Sequence, residues 1–284
     1  MPDDRSLDLL AAFARDLARQ AGAFLRDAFG RTLEMRLKGA INPVTQADLD
    51  SERLIVEAIR RTFPDHDVLT EEALSRDRRA SHRWVIDPID GTTNFARGYP
   101  MFAVSIALER EGEPVVGVVY APVLDELYWG IAGRGAFGVH RGAQPRPLRV
   151  SAVDRLDRAF VVTGFPYSLR ERPEPVLRPL ERMLLSTFAL RRDGTAALNL
   201  CHVAAGVFDA FWEIELKPWD TTAALVLLRE AGATVTDMTG APYRPELPTI
   251  AASNGHLHAE LLRVLAGAGA GAGGAGATGE RGGL

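Results

Sequence analysis

The stretch Trp84-Val85-Ile86-Asp87-Pro88-Ile89-Asp90-Gly91-Thr92-Thr93-Asn94-Phe95 carries the strongest signal in the chain. Its first three residues have the composition of a short buried strand, which runs into Asp87. Pro88 fixes a turn, and a second carboxylate follows at Asp90. Gly91 then allows close backbone approach or an unusual φ before the hydroxyls of Thr92 and Thr93. Two carboxylates held together at a strand end repel each other unless protonation or a divalent cation neutralises them. Hard oxygen ligands favour Mg²⁺ or Mn²⁺. The plain alternative is a solvated acidic turn, and the order D-P-x-D-G-T-T behind an apolar strand argues against it.

Two more acidic positions lie outward from this stretch. Glu71-Glu72 closes the short apolar run Val68-Leu69-Thr70, and Asp220 follows Trp219 and precedes Ala223, Ala224, Leu225, Leu227 and Leu228. Taken alone, Asp220 reads as the N-cap of a buried helix and Glu71-Glu72 as surface charge.

The surrounding pattern alternates between helical and strand periods. Leu10, Phe13, Leu17, Ala21 and Phe24 predict an amphipathic helix ended by Gly30. Leu33–Leu37 alternates like a strand, Asn42-Pro43 reads as a loop, and Thr45 with Asp48 marks a helix start with Leu54, Ile55, Ala58 and Ile59 as its buried stripe. Ala103–Leu108, Val115–Tyr120 and Leu127–Ile131 form an antiparallel meander rather than regular βαβ repeats, and Ala159–Thr163 is a further strand. Helices are expected over Glu174–Ser186 (with Pro175 and Pro179 confining or bending it), Ala196–Ala205, Thr221–Ala231 and Leu257–Leu265. Strands are expected at Phe208–Ile214, around Val235 and at Ile250–Ala252.

The bulk numbers set limits. A chain of 284 residues can bury a sizeable core, and a net charge of −4 gives no global attraction for nucleic acid or anionic membrane. The lone Cys201 sits in an apolar run and reads as a small buried hydrophobe, so no internal disulfide is expected. No HExxH or CxxC accompanies the six histidines, and His256 and His258 are expected in solvent. No leader is visible at the acidic start, and no apolar run spans a bilayer, which together predict a cytoplasmic protein. Residues 1–265 are expected to form one unit, with halves of about 1–150 and 151–265. Nine Gly and six Ala in residues 266–284 predict a disordered tail.

The string D-P-I-D-G-T-T-N-F at Asp87–Phe95 resembles a signature of the inositol monophosphatase family. Pro218-Trp219-Asp220-Thr221-Thr222-Ala223-Ala224, running on to Gly232, is similar to that family's second signature. Gly194–Leu200 looks like a third shared element, Glu71-Glu72 fits the glutamate before the first signature, and Pro43–Asp48 resembles the upstream aspartate loop. The likeness runs in order over roughly residues 7–265. It implies an α+β fold, an α/β/α/β/α sandwich, usually homodimeric. It implies magnesium (two or three ions per site, with Mn²⁺ able to substitute) on Glu71, Asp87, the Ile89 carbonyl, Asp90 and Asp220, and sensitivity to lithium. By the same likeness Gly91 and Thr92 contact phosphate, Glu213 takes polyol hydroxyls, and Gly194, Thr195 and Ala196 lie along the pocket with Asp90 and Asp220.

The chemistry so implied is in-line attack of a metal-activated water on phosphorus. Glu71, Asp87 and the Ile89 carbonyl are expected on the nucleophile-activating ion, with Asp90 and Asp220 on a second ion, Asp87 bridging, and Thr92 with Asp48 orienting the water. The expected substrate is a small polyol or sugar phosphate, inositol 1-phosphate foremost; relatives that take fructose 1,6-bisphosphate or histidinol phosphate keep those esters open. Tyr167, Ser168, Glu213 and Lys217 are candidates for the selecting wall, and Arg191-Arg192 is open to an anionic substrate, the dimer partner or solvent, with solvent or a dimer contact expected. A non-catalytic accessory protein of transcription or RNA handling is the competing class. The charge argues against broad RNA affinity, and every expected carboxylate is present. Catalysis is expected to need no nucleic acid. Asp90→Asn is expected to remove most phosphatase activity while leaving the fold intact, as read from phosphate release and circular dichroism.

Overall fold

A computed structural model describes residues 4–30, 35–38, 42–71 and 80–267. The first helix, α1 (Asp4–Ala28), carries Leu10, Leu17, Ala21 and Leu25 on one buried face, and Phe13 packs partly buried beside them. The hairpin β1 (Met35–Lys38) and β2 (Asn42–Thr45) follows, then α2 (Gln46–Thr62). The expected loop at Asn42-Pro43 is thus a strand, paired Lys38 to Asn42 and Leu37 to Pro43. Proline is tolerated there because a two-stranded ribbon leaves every strand an open edge. Residues 31–34 and 39–41, and with them the start of the expected strand at Leu33, lie outside the described residues.

The meander forms as expected and extends further. A seven-stranded sheet runs in the order β3 (Asp67–Thr70), β4 (His82–Asp90), β5 (Ala103–Arg110), β6 (Glu113–Ala121), β7 (Glu126–Ile131), β8 (Gly135–His140) and β9 (Arg146–Pro147). Only the β3–β4 pair is parallel. A short helix, α3 (Thr92–Ala96), leaves the end of β4.

The second sheet has five strands in the order β11 (Ala189–Arg191), β10 (Phe160–Thr163), β12 (Ala210–Ile214), β14 (Thr249–Ser253) and β13 (Thr234–Thr236). Between its strands the chain makes α4 (Glu174–Ser186), α5 (Ala196–Ala204), α6 (Pro218–Glu230) and, last, α7 (His258–Ala266). Pro175 occupies the first turn of α4, where no intrahelical donor is lost, and Pro179 follows in the second turn.

Three cores fill the four interfaces between five layers, the middle core serving two of them, and give the expected α/β/α/β/α sandwich. Helices α1 and α2 cover one face of the large sheet, with Trp84, Ile86, Ile106 and Val118 beneath them. Helices α5 and α6 lie between the sheets, packing Leu198, Leu200, Cys201, Ala223 and Leu227 against Val85, Ala107 and Val119 on one side and Phe211 and Ala252 on the other. Helices α4 and α7 close the outer face of the small sheet through Met183, Leu261 and Trp212. Cys201 is fully buried in the central layer. Residues 268–284, which include most of the Gly/Ala segment, lie outside the described residues.

His258 departs from the expectation of exposure. It is buried, with Nδ1 against Ser253 Oγ and Nε2 against Thr236 Oγ1, both at 2.9 Å, and burial holds its pKa below the usual value. His256 does face solvent.

Helix α6 lies unusually close to the large sheet. A Cβ on Gly117 of β6 would stand 2.0 Å from the Ala223 carbonyl oxygen, and one on Gly130 of β7 would stand 3.2 Å from the Leu227 backbone. Gly117→Ala therefore forces the helix backbone to lift, because no side-chain rotation relieves the clash. A loss of about 3 kcal/mol or more is expected in urea unfolding; a loss under about 1 kcal/mol would show that α6 is free to shift.

Candidate active site

Strand β4 positions the first two carboxylates. In a regular strand residues three apart point to opposite faces. The pairing of β4 with β5 shifts register between Asp87 and Asp90, and this irregularity turns both side chains into one cavity. The Ile89 amide donates to Asp87 Oδ1 at 3.0 Å, tightening the turn. Gly91 follows in the left-handed region at φ 94°, and a Cβ there would press on the carbonyls of Met101 and Gly194.

Asp90 is held by the start of α5. Thr195 Oγ1 donates to its Oδ2 at 2.6 Å, the Ala197 amide to the same oxygen at 2.7 Å, and the Ala196 amide to Oδ1 at 3.3 Å. Thr195 therefore spends its hydroxyl on Asp90. Asparagine at 90 would turn an amide donor toward some of these donors, so Asp90→Asn also disturbs the first turn of α5. Asp87 commits only Oδ1, to the Ile89 amide, which makes it the cleaner residue to neutralise.

Asp220 lies in the first turn of α6, three residues inside the cap position at Lys217. Its Oδ2 accepts the Lys217 amide at 2.6 Å. It serves the helix start as N3 and not as the N-cap itself. Glu71 follows the end of β3 and lines the same cavity; Glu72 lies outside the described residues.

Behind these groups sits a buried relay of hydroxyls. Thr92 Oγ1 lies 2.9 Å from Asp48 Oδ1 and 3.1 Å from the Ile89 carbonyl. Asp48 Oδ2 accepts the amide and hydroxyl of Thr45, at 2.7 and 2.6 Å, which is how Thr45 and Asp48 start α2. One aspartate thus caps a helix and fixes Thr92.

The cavity is about 450 Å³. Glu71, Asp87, Ile89, Asp90, Gly91, Thr92 and Asp220 line it, together with Gly194, Thr195, Ala196 and Glu213. Of the candidates for a selecting wall, Tyr167, Glu213 and Lys217 line it, while Ser168 instead donates to Glu215 at 2.7 Å. Arg191 and Arg192 are both exposed, as expected of solvent-facing residues. Arg192 in addition lines the cavity, with its guanidinium 5.5 Å over the Phe165 ring, whereas Arg191 stacks over Phe160.

Burial and mutual repulsion raise the carboxylate pKa values. Asp87 is driven well up by burial and then by the charges of Glu71, Asp90, Asp220 and Asp48. Asp220 is raised by burial and by Asp90, against the Lys217 amide. Glu213 is raised by burial, then by Asp220 and Asp90, with Arg192 opposing. Asp90 is raised by burial to about 6, its bonds from Thr195 and the α5 amides holding it from rising further.

Among the described residues no three His, Cys, Asp or Glu side chains are already closed into a metal-holding group; the carboxylates line the cavity without converging on a point. Their chemistry nonetheless fits a hard divalent cation. The donors are all oxygen, four carboxylates and the Ile89 carbonyl, and the raised pKa values of Asp87, Asp90 and Asp220 record negative charge with too little positive charge to meet it.

Sequence reasoning gave Asn94 no role. Its amide nitrogen donates to the carbonyls of Met101 at 2.6 Å and Asp193 at 2.7 Å, stapling the Asp193-Gly194 loop to the end of β4. Its place within the quoted string was the only signal.

Comparison with known proteins agrees with this geometry. Residues 6–269 match the profile of the inositol monophosphatase family. A fructose-1,6-bisphosphatase/inositol-1-monophosphatase of Aquifex aeolicus is 39% identical over 88% of this chain and 93% of its own length. An inositol-1-monophosphatase of Rhizobium meliloti is 41% identical over 87% and 92%. The solved inositol monophosphatase of Anabaena superposes with a TM-score of 0.82 at 39% identity, covering 92% of this chain and 97% of that one. The chain belongs to the inositol monophosphatase family. It is a phosphoric monoester hydrolase, and its family is generally metal-dependent.

A carboxylate whose folded pKa lies above its unfolded value stabilises the fold fully only below the unfolded pKa, and that stability is lost as pH rises through the folded pKa. Asp87 is of this kind. In chelator, Asp87→Asn is therefore expected to unfold at a higher temperature than wild type at pH 7.5, with the difference shrinking toward pH 4. Equal melting temperatures across that range would contradict the crowding of charge inferred here.

Proposed function

We propose that the protein hydrolyses a small polyol or sugar phosphate, inositol 1-phosphate foremost, to the free alcohol and phosphate, with Mg²⁺ held by Glu71, Asp87, the Ile89 carbonyl, Asp90 and Asp220. The observation that carries this reading is that Glu71, Asp87, Asp90 and Asp220 line a single cavity of about 450 Å³ together with Glu213. When bound, magnesium supplies charge neutralisation for the carboxylates and the phosphoryl oxygens, and acidifies water. The protein's own groups do the positioning. Thr92 gives its one proton to Asp48 or to the Ile89 carbonyl, which leaves its hydroxyl lone pairs to accept from the attacking water and aim it. Asp48 is kept in place by Thr45, so the water's orientation is tied to the first turn of α2. Glu213, an acceptor, suits alcohols with free hydroxyls beside the ester. Gly91 and Gly194 keep the wall low where phosphate would approach.

A fructose bisphosphate or histidinol phosphate fits the same chemistry and is tested with it. Among the described residues no helix is long and apolar enough to cross a membrane, and the reading includes action in the cytoplasm. It also includes a homodimer, for which exposed Leu184, Leu185 and Phe188 beside the edge strand β11 supply an apolar face.

Phosphate release from inositol 1-phosphate, fructose 1,6-bisphosphate, histidinol phosphate and adenosine 3′,5′-bisphosphate, with magnesium and with chelator, tests the reading. Wild type is expected to release phosphate only with magnesium, and Asp87→Asn to lose at least about a hundredfold in kcat/KM. Release that persists in chelator, or in the folded variant at limiting magnesium, would remove the ligand assignment.

A further inference from the structure

Thr163, the last residue of β10, pairs in parallel register with Trp212 of β12, and its hydroxyl donates to the Trp212 carbonyl at 2.7 Å. This register sets Gly164 beside Glu213 in the wall of the cavity. A Cβ built on Gly164 would stand 2.2 Å from both Glu213 carboxylate oxygens and 2.3 Å from the carboxyl carbon. Gly164 is not among the glycines with positive φ, so its backbone admits any residue. The three nearest atoms that a methyl group would meet all belong to the Glu213 carboxyl. The void over Gly164 is filled by that carboxylate.

We propose that Gly164 is the specificity-determining position of this pocket: its missing side chain is what lets Glu213 lie flat against the wall, at the one height where its oxygens accept hydroxyls from a polyhydroxylated alcohol. The inference rests on the polyol phosphatase reading and deepens it. Glu213 is buried, so its carboxylate has little room to retreat other than by swinging into the cavity it lines. Alanine at 164 thus displaces the carboxylate and spares the strand. Selectivity for the alcohol is then set by a residue that touches no part of it.

The test is a double-mutant cycle on the full chain with magnesium, using inositol 1-phosphate and p-nitrophenyl phosphate, an ester without polyol hydroxyls. The readout is the ratio of kcat/KM for the two esters. Gly164→Ala is expected to lower this ratio by about tenfold or more, chiefly through KM for the inositol ester, as for a lost hydrogen bond to a charged acceptor. In the Glu213→Ala background the same substitution is expected to change the ratio less than about twofold, because nothing is left to displace. An equal loss on both esters in Gly164→Ala, or the full loss repeated in the Glu213→Ala background, overturns the proposal. So does failure of the Gly164→Ala, Glu213→Ala double variant to fold, since its added methyl meets no carboxylate. Wild type that hydrolyses neither ester would instead overturn the polyol phosphatase reading and take this inference with it.

Discussion

The contact between Asp90 and the first turn of α5 is the one on which the site depends. Asp90 ends a strand of the large sheet, and its donors come from Thr195, Ala196 and Ala197, more than a hundred residues later. Three donors on one carboxylate keep a buried charge tolerable in the folded chain. They also bring the small-sheet side of the molecule, with Glu213 and Gly164, up to the carboxylates of the large sheet. That contact joins the two sides at the cavity itself, beside the central core that packs them together. Asn94 repeats the join a few residues on, by holding the carbonyls of the Asp193-Gly194 loop.

A conflict is built into this arrangement. Folding gathers Glu71, Asp87, Asp90 and Asp220 around one cavity, where burial alone already disfavours the ionised forms of the three aspartates. Bulk stability comes instead from three apolar cores, and the middle one, made by α5 and α6, borders the charged pocket directly. The cores hold the charges in place against their repulsion, and a cation would relieve it. Such a site is destabilised where it works, which matches the general behaviour of groups organised for chemistry rather than for folding.

Much of this was legible in the residues. The acidic pair behind an apolar strand located the chemistry, since the order D-P-x-D-G-T-T there favours a neutralised or metal-binding turn over a solvated one. Thr45 and Asp48 announced the start of α2, and short-period alternation announced the meander. What escaped depends on neighbours distant in the chain. Periodicity alone does not show that a register shift brings Asp87 and Asp90 to one face. Arg192 is the surface charge it looked like, but its place over Phe165 at the cavity could not be read from its sequence neighbours, and His258 looked exposed until Ser253 and Thr236 were seen around it. Gly164 carried no turn signal at all, because the space it leaves is used by a side chain forty-nine positions away.

Helix α6 ties the far side of the large sheet to the pocket. Asp220, Ala223 and Leu227 stand about one turn apart along it, and the last two rest on Gly117 and Gly130. The helix is therefore seated like a rod in two notches, free neither to slide nor to roll, and its first turn carries a carboxylate of the site. The reach of that carboxylate toward β4 is gauged by two hydrogen atoms on the neighbouring strands. A methyl group in either notch would be felt as a change of aim at the mouth of the cavity, in a residue that the substitution never touches.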